Sequence, residues 1–563
     1  MRNWRINLVL VFVIFFGAAI ISRLFYIQII KHGFYQSQAL GQQVRLEEVE
    51  GLRGEIFFKD ETKSLAINKE RWVVYVLPEE IEDKIQTAEI LSKNLDKPQD
   101  LILSKIENKD YYTVIKNRLT EEEIGKIKNL NLEGVYWEEF PGRYYPQETL
   151  ASHIIGFLGG DEKGQYGIEG YYDEILRGKK GFKKEKKGLI SLDSVENGSD
   201  LYLTIDYNIQ FKAESLLEEA KELFDIEEGQ IIVLEPDSGK VLALADFPNF
   251  NPNQYSKEED LSIFQNGAVQ KIFEPGSVFK PITMAIALNE EKITPNTTYE
   301  DEGYVKVGVE TIYNYGRRVY GEKSMTEVLE KSINTGAVFV SRLIPPETFL
   351  EYVDKFGFNK KTDIDLQGEI YSQNENLRKG QEINFATASF GQGIEMTPIQ
   401  LSRAFCAIAN GGKLVRPYLV EKIVNGSAKS SAEAHSKFSP QTSEIQPQIL
   451  ERVISQQTAL QLTAMLISVV EGKFAEESKI PGYYIAGKTG TAQIAIEGKR
   501  EYEPDKTIQS FIGFAPALNP QFLILVKLDN PKTKTAEYSA VPIFRKLAKH
   551  IIDYWQIPPD YEL

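Results

Sequence analysis

The stretch from Ile6 to Ile30, INLVLVFVIFFGAAIISRLFYIQII, restricts this chain more than any other. Leu8 to Ile21 contains no charged residue, and Arg23 is the only charge between Ile6 and Ile30. A bilayer core is crossed by about 20 apolar residues in a helix, because only a helix or a closed barrel satisfies its own backbone there. The uninterrupted run is shorter than that, but the whole stretch is long enough, with Arg23 snorkelling toward the interface. A cleaved signal peptide is the competing reading. GAAIIS offers small residues for it, yet the apolar pattern continues directly after them. The expectation is an uncleaved anchor over residues 1–30. Arg2 and Arg5 precede the run and Arg23 and Lys31 follow it, so positive-inside bias leaves orientation open.

The remaining chain is long enough for two further domains, since 563 residues exceed what one hydrophobic core supports. The formal charge of −16 argues against a nucleic-acid partner, which needs clustered positive charge. Cys406 is the single cysteine, which rules out an internal disulfide and a Cys-rich metal site. It lies in an apolar helical pattern and reads as a buried core residue. The four histidines, His32, His153, His435 and His550, are far apart and form no HExxH pattern. No metal site is expected. A Ser-His-Asp triad stays open by count alone, although no GxSxG turn supports it.

Residues 31–195 mix strand-like runs, RWVVYVL (71–77) and YYTVI (111–115), with amphipathic helical patterns at 79–95 and 121–130. Nothing there pairs a nucleophile with a base. RGKKGFKKEKKG (177–188) reads as a solvated connector, with anionic wall polymer or lipid headgroups as the sharper alternative. From 196 onward, GQIIVLEPDSGKVLALAD (229–246) is a hairpin about Pro236–Gly239, and SFIGFAPALNPQFLILVKLD (510–529) is a second about Ala517–Pro520. Helical patterns lie between them. The fold class is therefore α+β: an antiparallel sheet closed by distant segments and flanked by helices. A Ser-, Ala- and Gln-rich stretch at 425–448 reads as a mobile surface insertion.

The chemistry concentrates in three places. In EPGSVFKP (274–281), Ser277 and Lys280 are one helical turn apart, and Pro281 sets the helix start nearby. Ser277 then sits at the positive end of the helix dipole, worth about 0.3–1 kcal/mol to a developing alkoxide. Gly276 leaves room for a substrate to approach. A serine needs a base, and a lysine serves only when desolvation or a second cation lowers its pKa. The bland alternative is a serine helix cap beside an exposed lysine. Ser332-Ile333-Asn334 lies at a helix end, where a hydroxyl and an amide can face one cleft. Lys488-Thr489-Gly490-Thr491 reads as a strand with a cationic head, Gly490 leaving space beside the backbone. At a sheet edge it would pair with an extended peptide, its lysine and hydroxyls suiting a terminal carboxylate.

Taken in order, the SxxK, SxN and KTG motifs resemble the serine penicillin-recognising enzymes. FEPGSVFKP, AGKTGTAQ and FGQGIEMTPIQLSRAFCAIANGG (390–412) narrow the resemblance to class B penicillin-binding proteins, the monofunctional peptidoglycan D,D-transpeptidases. FPGRYYPQETLASHIIGFLG (140–159) and GQYGIEGYYDEILRGKKG (164–181) resemble that family's pedestal. The resemblance implies a transpeptidase domain over 196–563 on a pedestal over 31–195, with the catalytic part outside the cytoplasm. It implies Ser277 as nucleophile, Lys280 as base, Ser332 as proton relay and Asn334 as positioner of Lys280 and substrate. Lys488 would supply positive potential, Thr489 and Thr491 would contact the substrate carboxylate, and the N–H groups of Ser277 and Thr491 would form an oxyanion hole. The implied substrates are D-Ala-D-Ala stem peptides, with β-lactams as inhibitors. No cofactor is implied, and with no glycosyltransferase segment in the chain a glycosyltransferase partner is expected. The motifs look more like division and sporulation members.

One departure stands out. Where the family carries RGxIxDRxG, this chain reads RGEIFFKDET (53–62), with Phe58 and Lys59 at the Asp and Arg positions. Pedestal packing or partner contacts are thereby in question, not the chemistry. Two alternatives to transpeptidation remain: a hydrolase, either D,D-carboxypeptidase or β-lactamase, and a division scaffold or β-lactam sensor.

Overall fold

A computed structural model describes residues 3–31, 45–107, 112–186, 189–193, 195–426, 442–473, 475–495 and 502–562. Contacts divide the chain into two units: Met1–Gly54 with Arg177–Ser199 and Asn425–Pro440, and Glu55–Leu176 with Asp200–Val424 and Gln441–Leu563.

In the first unit the apolar stretch forms a helix, Asn3–Phe25, continued by a π-turn over Tyr26–Ile30. Among the described residues it is the one helix long and apolar enough to cross a membrane. The unit also holds a three-stranded antiparallel sheet of Arg45–Glu50, Lys180–Lys186 and Leu189–Asp193. The basic stretch expected as a connector is therefore largely strand; its residues 187 and 188 lie outside the described residues.

The second unit contains the pedestal strands and the main core. Ser64–Val76 pairs antiparallel with both Thr113–Leu119 and Val135–Tyr144. The helices Lys84–Leu95, Gln99–Glu107 and Glu121–Lys128 contribute Leu91, Ile102 and Ile124 to a separate core around Val74 and Ile115. Thr120 and Glu123 close a reciprocal capping box at the third helix, which fixes where it begins. Phe58, the departure from the family pattern, is fully buried edge-to-face on Tyr207, with ring centroids 5.2 Å apart. The aromatic ring there fills core volume. Lys59 stays exposed.

The larger core surrounds a five-stranded antiparallel sheet. Its strands are β1 (Glu228–Leu234), β2 (Val241–Phe247), β3 (Ala486–Ala495), β4 (Tyr502–Ala515) and β5 (Phe522–Asp529), in the order β2-β1-β5-β4-β3. The two expected hairpins are β1–β2 and β4–β5, and β1 joins β5 across roughly 300 residues of chain. β1, β2 and β5 are buried almost throughout, so the apolar runs are continuous and do not alternate. Helices α1 (Tyr207–Phe224) and α6 (Ala540–Trp555) pack together on one face. Helices α2 (Lys280–Asn289), α3 (Asn334–Leu343), α4 (Pro398–Ala409) and α5 (Gln456–Glu471) form the other layer and its extension. Cys406 is fully buried in α4, as its apolar setting predicts, and burial raises its thiol pKa.

Of the expected insertion at 425–448, residues 427–441 lie outside the described residues. Thr442–Glu444 is a strand paired with Val420–Val424, so that end is sheet. His32 and His435 also fall outside the described residues.

Candidate active site

A single 3₁₀ turn, Gly276–Phe279, carries Ser277 into α2, whose first residues are Lys280 and Pro281. Proline is tolerated there because its missing N–H has no helical partner. Val278 and Phe279 are fully buried and anchor the turn, while Ser277 is half-buried at its rim. Gly276 has φ of +60°, and a Cβ on it would lie 3.0 Å from the Ala492 Cβ. Gly391, φ +84°, packs so closely that a Cβ on it would lie 2.0 Å from the Gly276 carbonyl oxygen. The room expected for substrate at Gly276 is thus occupied by protein, and its conformation shapes the turn. The Gly276 N–H donates to the Gly391 carbonyl at 2.9 Å, and the Gly393 N–H donates to Glu274 at 2.9 Å. These contacts give the FGQG text a physical role: it grips the turn that presents Ser277.

Lys280 is fully buried. Its Nζ donates to the Ser332 carbonyl at 2.6 Å and to Asn334 Oδ1 at 2.8 Å, and lies 3.2 Å from Ser332 Oγ. The first two partners accept only, so Nζ donates to both; once uncharged, the amine has its lone pair left for a hydroxyl. Ser332 follows the helix Met325–Glu330, and Asn334 opens α3. Ser332 has φ of +54°, a left-handed conformation that costs a non-glycine residue about 1 kcal/mol or more. That conformation turns both its carbonyl and its hydroxyl onto Lys280.

Lys488 reaches the same hydroxyl from β3, at 3.1 Å from Ser332 Oγ, and is 1% exposed. It also donates to the Thr489 carbonyl at 3.1 Å and to Thr489 Oγ1 at 3.3 Å. β3 is an edge strand, as the expected peptide pairing requires. Gly490 lets β3 close on the nucleophile turn: a Cβ would lie 2.9 Å from Val278 Cγ1 and 2.6 Å from Ser510 Oγ. The space expected beside it is filled as well. Thr489 and Thr491 are half-buried, and Thr491 Oγ1 accepts from the Ala536 N–H at 3.3 Å.

The two lysines share one serine, and among the described residues neither forms an ion pair with a carboxylate. Both amines lie within 3.2 Å of one oxygen, and two unit charges separated by roughly 6 Å at an effective dielectric near 20 would repel by about 3 kcal/mol. Burial first, and then the Lys488 ammonium, holds Lys280 well below the ordinary lysine range. Burial lowers Lys488 to about 7. Both amines are thus shifted toward the uncharged form, and the two titrate as a coupled pair.

Ser277, Lys280, Ser332, Asn334, Lys488, Thr489, Gly490 and Thr491 accordingly meet in one region, drawn from three separate segments. The Ser277 hydroxyl itself makes no hydrogen bond among the described residues. Neither described histidine serves a triad: His153 bonds the Ile263 carbonyl at 2.8 Å and meets Phe250 edge-on, and His550 lies on α6. Sequence reasoning missed Glu274, Gly391 and Gly393, although two glycines two residues apart were the available signal. It also missed the small hairpins at 298–324 that support Asn334.

The penicillin-binding protein transpeptidase domain matches residues 229–549, and the penicillin-binding protein dimerisation domain matches residues 48–203. Stage V sporulation protein D of Bacillus subtilis is 32% identical over 540 residues, covering 93% of this chain and 82% of that protein. The probable peptidoglycan D,D-transpeptidase PenA of Neisseria meningitidis is 29% identical over 574 residues, covering 99% and 94%. Penicillin-binding protein 3 of Mycobacterium tuberculosis, solved in complex with ampicillin, is 25% identical with a TM-score of 0.70, covering 92% of this chain and 98% of that one. A serine one turn ahead of a buried lysine, with a second buried lysine reaching in from the sheet edge, defines the class. The chain belongs to the penicillin-binding protein transpeptidase family, in the class B branch that joins this domain to a dimerisation-type module.

Proposed function

We propose that this chain crosslinks peptidoglycan stem peptides through an acyl-enzyme on Ser277. The observation that carries the reading is the convergence of Lys280 and Lys488 on Ser332, both buried without a carboxylate partner among the described residues. Lys280, uncharged, takes the Ser277 proton as Oγ attacks the carbonyl of the penultimate D-alanine. The C–O bond forms, the amide C–N bond breaks, and Ser332 returns the proton to the departing D-alanine amine. Asn334 holds Lys280 by its side-chain oxygen and offers its amide to the donor peptide. Lys488, Thr489 and Thr491 receive the terminal carboxylate. The N–H groups of Ser277 and Thr491 stabilise the oxyanion, each such donor being worth about 2.7–4 kcal/mol. The amine of a neighbouring stem peptide then displaces Ser277 and completes the crosslink. This chemistry needs no metal or cofactor.

The ampicillin complex of the mycobacterial relative supports covalent inhibition of this chain by β-lactams. We divide the chain into an anchor over 1–30, a pedestal over 31–195 and a catalytic domain over 196–563, with the catalytic domain on the wall side of the cytoplasmic membrane. Glycan polymerisation falls to a glycosyltransferase partner. Resemblance to the sporulation and PenA proteins favours a role in septum or spore wall synthesis.

The test supplies a donor peptide ending in D-Ala-D-Ala together with an amine acceptor, and follows both products by mass spectrometry. Crosslinked product with release of one D-alanine is expected. D-Alanine release without crosslinking would make the protein a carboxypeptidase, and neither product would remove the enzymatic reading.

A further inference from the structure

Two short hairpins precede the Ser332 motif. In one, Thr298–Asp301 pairs with Gly321–Ser324; in the other, Tyr304–Val307 pairs with Glu310–Tyr313. At their junction Asp301, 1% exposed, draws in four groups. Its Oδ1 accepts from the Gly303 N–H at 3.0 Å, Asn314 Nδ2 at 3.0 Å and Thr335 Oγ1 at 2.6 Å. Its Oδ2 accepts from Asn314 Nδ2 at 2.9 Å and the Tyr320 N–H at 2.8 Å. Asn314 passes the connection on: its Oδ1 accepts from the Thr335 N–H at 3.1 Å and lies 3.1 Å from Thr335 Oγ1. Asn314 and Thr335 are themselves buried.

The residues chained to this junction on either side, Tyr313 and Asn334, meet each other. Asn334 Nδ2 donates to the Tyr313 carbonyl at 3.1 Å, while its Oδ1 accepts from Lys280. A side-chain amide is oriented by its hydrogen-bond network. Reversed, Asn334 would set its oxygen against the Tyr313 carbonyl and aim two N–H groups at the Lys280 amine. That amine would then lose an acceptor and have its lone pair occupied.

We infer that Asp301 is a positioning residue: by tying Asn314 to Thr335 it fixes the Tyr313 carbonyl, and so the direction of the Asn334 amide that leaves Lys280 free to act as base. Asp301 touches neither substrate nor reacting atoms. The inference rests on the proposed function. The charged and titratable groups around the path are Lys488 at Lys280, the Tyr299 hydroxyl 3.1 Å from Thr335 Oγ1, and the Arg317 guanidinium 4.8 Å from the Tyr313 ring centre.

The test measures labelling of the full chain in detergent by a fluorescent penicillin, as a function of pH, for wild type, Asp301→Asn, Thr335→Val and Thr335→Ser, with Tm for each. Asparagine in place of Asp301 must oppose an N–H to one of the existing donors. Asp301→Asn and Thr335→Val are expected to lower the plateau rate at least tenfold. They should also move its acid limb to lower pH, because Lys280 loses an acceptor that favours its protonated form. Thr335→Ser keeps the hydroxyl and should recover most of the rate. Unchanged rates and limb in the variants overturn the inference. So does a lower rate tracking a lower Tm with the limb unmoved, which is the mark of a purely structural role. A wild type that takes no label overturns the reading of the site and this inference with it.

Discussion

Lys280 and Lys488 share one requirement and divide one task. Both are desolvated, which lowers the pKa of a lysine, and Lys280 is lowered further by the Lys488 charge beside it. Two opposed ionisations follow. Acylation by an anionic β-lactam needs Lys280 neutral and Lys488 charged, so its rate should trace a bell in pH. The alkaline limb belongs to Lys488, near its value of about 7. Lys488→Arg should move that limb upward, and a rate measured from pH 5 to 10 checks it; an unmoved limb assigns the titration elsewhere. The same burial costs stability. A lysine at 10.5 unfolded and about 7 folded binds its proton more tightly in the unfolded chain. The penalty is therefore complete below pH 7, shrinks as pH rises, and vanishes near 10.5. Its size is roughly 3–5 kcal/mol before the lost hydrogen bonds are counted. Lys488→Met should abolish acylation yet raise Tm by a few degrees at pH 7, with a smaller gain at pH 9.5. Calorimetry at the two pH values decides; a lower Tm at both contradicts the assigned cost.

At the scale of elements, the site depends on how closely the 3₁₀ turn, β3 and the 390–394 segment approach. Gly391→Ala adds a Cβ where the Gly276 carbonyl already stands, at positive φ. A loss of about 2–3 kcal/mol is expected, with penicillin labelling reduced at least tenfold. Wild-type labelling and stability would mean that the turn does not need this contact. The elements themselves were readable in advance. Pro236–Gly239 marks the β1–β2 turn, Pro281 marks the start of α2, and the apolar flanks of Lys488 mark β3. That the two distant hairpins close one antiparallel sheet was legible too; the strand order β2-β1-β5-β4-β3 was not, because burial on both faces yields continuous apolar runs that pair equally well in several orders. The 3₁₀ turn ahead of α2 and the left-handed Ser332 depend on contacts with Gly391 and Lys280, not on local propensity. The basic run at 180–186 carries no alternating pattern, so its strand was invisible.

For the whole molecule, the apolar helix and the sheet-based site are separate obligations of one chain. The helix has exposed Leu, Val, Ile and Phe along Leu8–Ile21 and contributes nothing to the main core. Removing residues 1–31 should release the protein from membranes without detergent and leave its penicillin labelling rate within about twofold of the full chain. Fractionation followed by labelling checks both; membrane retention would point to a second attachment. The central claim is a covalent one: Ser277 becomes acylated because Lys280 takes its proton. Intact-mass spectrometry after penicillin exposure tests it most directly, on wild type beside Ser277→Ala and Lys280→Ala. The account predicts one added penicillin on the wild type, located on the peptide that contains Ser277, and none on either variant. An adduct that persists in Ser277→Ala would contradict it.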